Sequence, residues 1–345
     1  DDPSPFIDTF TIRKARPTLT GRVAKYFDFK LMPDFGNGTA ILQDAYLDTR
    51  FSPAFRVRVG KDKVPVGYEF MIGDSYTLFP ERSLASSLVP NRDLGVQVQG
   101  DLAGNKVSYA GGVFHGVPDA SSPTTDVDVN NGKDLAGRIV VQPFRRAQHP
   151  GPLNGLGFQV GGSTGKEVGP LPGFRTSGQQ TYFAYATAAT ANGRHDRVTP
   201  AVFYYYKSFG AFGEYMRSTL DVAKGAATTT VTDSAWDVTA SIFLTGEGAS
   251  SGIIRPAHNF DPPTGKWGAL QLLARYSVLT AGQAAFDAGL TAANASRQAT
   301  QFAVGADWYP APYVKYYLTY EQTRFDNSAV RPNENLVLFR TQLVF

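Results

Sequence analysis

The sequence predicts an all-β chain that closes into a transmembrane antiparallel β-barrel of about 16 strands. Three observations carry this expectation. First, the segment Val337-Leu338-Phe339-Arg340-Thr341-Gln342-Leu343-Val344-Phe345 alternates, with Val337, Phe339, Leu343 and Phe345 on one face and Arg340 and Gln342 on the other. Period-two alternation sends such sets to opposite sides of a sheet, and an aromatic last strand suits the closing stave of a barrel. Second, no apolar run approaches the ~20 residues of a spanning helix. Any membrane passage must therefore use strands. Third, 24 Phe, 17 Tyr and 35 Gly accompany an absence of Cys. Aromatic residues serve as interfacial girdles in such barrels, whose strands are half polar. At about 21 residues per strand and connection, the chain accommodates roughly 16 strands around an aqueous lumen.

The alternation runs along the chain in segments punctuated by Gly, Pro, Asn and Asp. Polar Lys14, Arg16, Thr18, Thr20 and Arg22 interleave with Ala15, Pro17, Leu19, Gly21 and Val23. Phe27, Phe29 and Leu31 alternate with Asp28 and Lys30, and Ala45 and Leu47 with Asp44, Tyr46 and Asp48. Val57 and Val59 alternate with Arg56 and Arg58, and Ile139 and Val141 follow Arg138. Trp236, Val238, Ala240, Ile242 and Leu244 oppose Thr239, Ser241 and Thr245. Leu270, Leu272, Ala274 and Tyr276 oppose Gln271, Arg275 and Ser277, and Val314, Tyr316, Leu318 and Tyr320 oppose Lys315, Thr319 and Glu321. Segment after segment carries Lys or Arg on its polar face. The Gly- and Thr-rich stretches 222–233 and 280–300 read as long loops. No linker divides the chain, so residues 1–345 form one barrel domain.

Composition narrows the chemistry. A net charge of +3 is too small for a nucleic-acid partner, and the cluster Arg13-Lys14-Ala15-Arg16 is too short and strand-like for one. Residues Asp1 to Pro5 carry no secretory signal, which leaves either a removed leader or a chain that is not exported. Without Cys there are neither disulfides nor thiolate metal sites. Gly161-Gly162-Ser163-Thr164-Gly165 matches the nucleophile-elbow spacing, but Lys166 to Pro170 reads as a loop where that motif needs a helix. His115, His149, His195 and His258 are scattered and read as loop or rim residues. Asp126, Asp128 and Asn130 alternate like a calcium loop, yet Gly132 falls one place late and no Glu closes the frame. No cofactor is indicated.

Longer motifs resemble the phosphate-selective porins O and P of Gram-negative outer membranes. They include Ile12-Arg13-Lys14-Ala15-Arg16 with Gly21, Leu42-Gln43-Asp44-Ala45-Tyr46-Leu47, and Val59-Gly60-Lys61 with Pro65 and Gly67. Glu81-Arg82-Ser83-Leu84 and Asn91-Arg92-Asp93-Leu94-Gly95-Val96 follow. Trp267-Gly268-Ala269 leading to Ala274-Arg275-Tyr276-Ser277 is the most specific, and Asp307-Trp308-Tyr309 ends the series. The resemblance implies a 16-stranded barrel, a homotrimer among outer-membrane lipid and lipopolysaccharide, and a loop folded into the pore. It places that constriction loop within residues 61–93.

An anion entering a narrow pore loses hydration, which guanidinium and ammonium groups can replace. Arg also matches phosphate oxygens in a fork. The candidate pore-lining cations are Lys14, Arg16, Arg22, Arg56, Arg58, Lys61, Lys63, Arg82, Arg92, Arg138, Arg275, Lys315 and Arg340, with Asp44 and Tyr46 as modulators of the constriction. The phosphate-specific members are expected to carry an arginine pair before the Ala-Tyr of the third strand. This chain has Gln43-Asp44 there, and an inward Asp44 repels phosphate unless a cation such as Arg58 pairs with it. The expected function is a passive, anion-preferring channel for phosphate or other small anions, with a weakly selective general porin as the alternative. A barrel lipase or protease would need a Ser or Asp/His constellation near the rim, and a soluble carbohydrate-binding β protein would show no conductance.

Overall fold

The computed structural model describes residues 9–122, 131–146, 148, 151–327 and 331–344. Seventeen strands appear among them. They are β1 (Leu19–Val23), β2 (Phe27–Asp34), β3 (Ile41–Ser52), β4 (Phe55–Lys63), β5 (Arg92–Leu102), β6 (Val107–Phe114), β7 (Asp134–Val141) and β8 (Leu156–Gly169). The hairpin β9 (Phe174–Arg175) and β10 (Thr181–Phe183) comes next, then β11 (Ala189–Tyr206), β12 (Phe209–Lys224) and β13 (Ala227–Phe243). β14 (Ala269–Thr280), β15 (Gln298–Ala311), β16 (Val314–Phe325) and β17 (Glu334–Leu343) complete the set. Two short helices, α1 (Tyr68–Met71) and α2 (Gln283–Asp287), lie in connections.

Fifteen strands form one antiparallel sheet in chain order, with β8 adjoining β11 and β9–β10 standing apart. The expected number was about 16; among the described residues fifteen are joined in this sheet, and the first is shorter than its segment 14–23 because pairing begins at Leu19. Curvature into a barrel is visible at one short segment. Residues 74–81 receive Arg13 and Arg16 from ahead of β1, and Arg340 and Gln342 from β17. The two ends of the sheet therefore flank the same segment.

The faces are inverted relative to a water-soluble sheet. On β17, Val337, Phe339 and Leu343 are 67%, 67% and 64% exposed, while Phe345 lies outside the described residues. On β14, Leu270, Leu272 and Tyr276 face outward, and Gln271, Arg275 and Ser277 are buried. An aromatic row, Trp267, Phe260, Trp308, Tyr316 and Phe339, has successive ring centroids 5.2–6.2 Å apart on the outer wall. Such girdles mark the membrane interface of outer-membrane barrels.

Of the two stretches expected as loops, one is a pair of strand ends and the other is a connection. Residues 222–233 form the ends of β12 and β13, joined by a tight turn at Gly225, whose φ of +61° needs no Cβ. Thr is β-branched and favours strands, and here Thr228, Thr230 and Thr232 lie on the outward face. Residues 281–297 do form a connection, but it folds inward over β12 and β13, with Ala285 and Leu290 buried. Gly161 to Gly165 is the middle of β8, neither a turn nor an elbow.

Candidate pore constriction

The connection from β4 to β5, residues 64–91, enters the barrel because its apolar side chains have nowhere else to be buried. Val64, Val66, Phe70, Leu84, Ala85, Leu88 and Val89 pack with Phe114, Met216, Ala235, Leu279, Ala299 and Phe325 of the inner wall. The sharp entry uses Gly67, at φ +78°, where a Cβ would crowd Val89 and Met216 at 3.3 and 3.4 Å. Hairpin β9–β10 adds Phe174, Tyr182 and Phe183 to the same cluster. The sequence reading missed this hairpin, although its closely spaced aromatics were a signal.

Polar side chains then tie the loop around the wall. Lys63 Nζ donates to the carbonyls of Phe70 and Ile72 at 2.7 and 2.8 Å. Arg275 Nη1 donates to Glu81 O at 2.9 Å, Lys315 Nζ to Thr77 O at 2.9 Å, and Arg340 Nη1 to Pro80 O at 3.0 Å. Arg275 also pairs with Glu321 at 3.2 Å, and Lys315 with Asp307 at 2.6 Å. These cations hold the loop in place.

At the tip lies a charge network centred on Asp74. Arg82 pairs with it at 2.6 Å, Arg92 at 3.2 Å and Lys14 at 3.7 Å, and Arg16 contacts it directly. Arg16 also reaches Asp34 at 2.7 Å, and Arg92 reaches Asp44 at 2.8 Å. Burial opposes ionisation of Asp74, but Arg82, Lys14, Lys63 and Arg92 outweigh it and hold the carboxyl well below its usual range.

Asp44 points inward and is 2% exposed. Its partners are Arg92 and Lys30, the latter at 2.6 Å, rather than Arg58. Arg58 instead pairs with Asp48 at 2.7 Å and with Asp62, and lies 4.0 Å from the Tyr46 ring centre. Gln43 is buried beside it and donates weakly to Asp34 at 3.5 Å. A register shift opposite, between Met32 and Pro33, accompanies consecutive inward burial of both residues.

The remaining candidates lie elsewhere. Arg22 is half exposed and pairs with Asp28 beside the β1–β2 turn, and Arg56 pairs with Asp101 at 3.2 Å. Lys61 is buried on β4. Arg138 shares the inward face of β7 with buried Asp134 and Ala136, and has no ion pair among the described residues. Between the loop, residues 120–121 and hairpin β9–β10 lies a cavity of about 460 Å³, whose charged lining is Lys14, Arg82, Glu81 and Arg175. Arg175 was not among the sequence candidates.

One histidine departs from expectation. His195 is not at a rim but on β11, 1% exposed. Its Nδ1 lies 2.7 Å from Glu167 Oε2 and its Nε2 2.8 Å from Ser218 Oγ. The spacing resembles a nucleophile–base–acid relay, but Ser218 is 2% exposed and donates to Asp119 Oδ2 at 2.6 Å. Arg197 joins Asp119 at 2.6 Å and Val117 O at 2.7 Å. The group ties the β6–β7 connection to the wall. His115 and His258 lie in connections, whereas His149 and the Asp126, Asp128, Asn130 series fall outside the described residues.

Comparison with known proteins agrees with this architecture. The chain is similar in fold to OmpT of Vibrio cholerae in its trimer form, with 11% identity, a TM-score of 0.55, and coverage of 96% of this chain and 91% of that one. It is similar to the anion-selective porin from Comamonas acidovorans, with 12% identity, a TM-score of 0.55, and coverage of 96% and 91%. Salmonella typhi OmpF in complex with daunomycin gives 12% identity, a TM-score of 0.55, and coverage of 96% and 90%. No curated protein matches the sequence. The profile of the phosphate-selective porin O and P family matches residues 7–345. The chain belongs to the phosphate-selective porin O and P family, and is a multi-pass outer-membrane β-barrel that serves as a passive channel.

Proposed function

We propose that the channel prefers small anions, phosphate among them, and that the Asp74 network is its selective element. One observation carries this reading. Among the described residues Lys14, Arg16, Lys30, Arg82 and Arg92 pair with Asp34, Asp44 and Asp74, so five cations meet three carboxylates and leave two net positive charges at the loop tip. In a narrow, partly desolvated passage a net charge of this size is little screened and biases which ions enter. The cavity beside it adds Arg175. Arg16 and Arg92 are each shared between two carboxylates, which suits moderate sites that release their ion rather than trap it. The assembly proposed is a homotrimer in outer-membrane lipid and lipopolysaccharide, as in the trimer form of OmpT.

The test is the reversal potential across a KCl gradient in planar bilayers, followed by phosphate titration. The expected result is anion selectivity with chloride current inhibited by phosphate, both reduced in Arg82→Ala. A weakly selective pore indifferent to phosphate would identify a general porin, in keeping with the extensive pairing of Arg56, Arg58 and Lys315. Absence of conductance would reject the channel itself.

A further inference from the structure

The constriction loop has a second anchor, and it is acidic. Glu214, Asp237 and Ser277 are successive cross-strand partners on β12, β13 and β14, so their side chains share one inward-facing row. They are 4%, 1% and 0% exposed, and Glu69 of α1, 4% exposed, descends onto the row from the loop. One carboxylate oxygen from each of Glu69, Glu214 and Asp237 lies within 4.8 Å of the others.

The surrounding donors do not balance this charge. Glu214 accepts from the amides of Tyr68 and Glu69 at 2.7 and 3.2 Å. Asp237 accepts from the hydroxyls of Ser83 and Thr239, each at 3.2 Å. Glu69 accepts from the Ser83 amide at 2.8 Å and the Ser86 hydroxyl at 3.0 Å. The nearby cation, Arg275, is 3.6 Å from Glu69 and is shared with Glu321. An independent feature points to a further ligand: Ser277 Oγ is fully buried in this row and has no hydrogen-bond partner among the described residues. A hydroxyl so placed has a lone pair to offer and nothing to receive it.

We propose that Glu69, Glu214, Asp237 and Ser277 bind one calcium-class divalent cation, which locks the start of the constriction loop to the barrel wall. The donors are all hard oxygens, and calcium accepts carboxylates and a hydroxyl in a flexible geometry, whereas magnesium demands near-ideal octahedral geometry and keeps several waters. Two positive charges offset the excess of the three carboxylates over the shared Arg275. Because Glu69 rides on the loop and the other three on the wall, the cation couples loop position to strands β12–β14. This site is separate from the Asp74 network and does not rest on anion preference.

The experiment uses the purified full chain in detergent, stripped with EDTA and titrated with CaCl2 by calorimetry, with the thermal transition followed in parallel. The expected result is one tight calcium per chain and a raised transition temperature. Glu214→Gln should abolish that site. Ser277→Ala, a milder change, should weaken it on the order of tenfold while the barrel stays folded by circular dichroism. Absence of calcium binding by the folded wild type would overturn the proposal. So would calcium binding unaltered in both variants, which would locate the ion in an external loop. A Glu214→Gln protein as stable as wild type, with no calcium dependence in either, would show that protons rather than a metal neutralise the row, and would also overturn it.

Discussion

Strand β13 runs through two different solvents, and comparing its halves explains much of the molecule. Its outward residues in the first half are Thr228, Thr230, Thr232 and Ser234, and in the second half Trp236, Val238, Ala240 and Ile242. The neighbouring strands change at the same level. On β12 the outward set passes from Asp221, Thr219 and Arg217 to Tyr215, and on β11 from Arg194 and Asp196 to Val198. Beyond this line the inward face carries an apolar cluster, Ala189, Ala191, Leu220, Val222 and Val231 under Leu290, above the buried polar group of His195, Arg197 and Ser218. Below it the inward face is polar, with Glu214, Asp237, Thr239 and Ser241 buried. A backbone with one unbroken pleat thus has water outside and oil inside at one end, and lipid outside and a polar lumen at the other. The hydrophobic effect follows the local solvent.

The largest test of this boundary compares two lysines. Val238→Lys places a charge against lipid and should cost about 2–4 kcal/mol, blocking insertion in a urea-controlled folding assay with lipid vesicles. Thr230→Lys, on the same face in the water-exposed half, should change stability by less than about 0.5 kcal/mol. Equal effects would place the membrane boundary elsewhere.

Truncating the apolar interior of the water-exposed half, the crown of the barrel, comes next. Leu290→Ala leaves a cavity and should cost about 2–3 kcal/mol. Leu318→Ala on the lipid face leaves none, since acyl chains fill the space, and should cost about 1 kcal/mol. Chemical denaturation of both variants measures the difference.

A third prediction separates the loop tip from both halves. Asp74→Asn leaves five cations on two carboxylates and should shift the reversal potential further toward the anion value. A carboxyl with a lowered pKa in the folded state contributes its stability above the unfolded value of about 3.9, and loses it only as pH falls through the lower folded value. Selectivity of the wild type should therefore not change through Asp74 between about pH 5 and pH 8. A titration step in that range that vanishes in Asp74→Asn would contradict the pairing described for it. The smallest effect belongs to Thr228→Val at the outer edge of the crown, within about 0.5 kcal/mol by the same denaturation measurement.

The comparison also explains where sequence reading succeeded. Val337, Phe339 and Leu343, or Leu270, Leu272 and Tyr276, display a clean period of two because lipid selects one face and the lumen the other. Residues 222–233 lack that mark: their outward Thr228, Thr230 and Thr232 resemble a loop although the backbone on either side of the Gly225 turn is a strand. The site was legible in part. Asp74 drew no attention because nothing local distinguishes it, and its four cations come from the amino-terminal segment, the loop itself and the start of β5. Arg175 was hidden in a hairpin too short for any periodicity.

By itself the sequence determined the barrel, because alternation and the lack of a spanning helix are properties of consecutive residues. It likewise determined that a basic lumen was available, since Lys and Arg recur on the polar faces. Only the tertiary structure decided which charges cancel. Asp44 meets Arg92 across 48 positions of chain, Arg275 reaches Glu81 across 194, and Arg340 reaches Pro80 across 260. Ion pairing depends on separations of a few ångströms in space, and a closed barrel brings together residues that no local pattern connects.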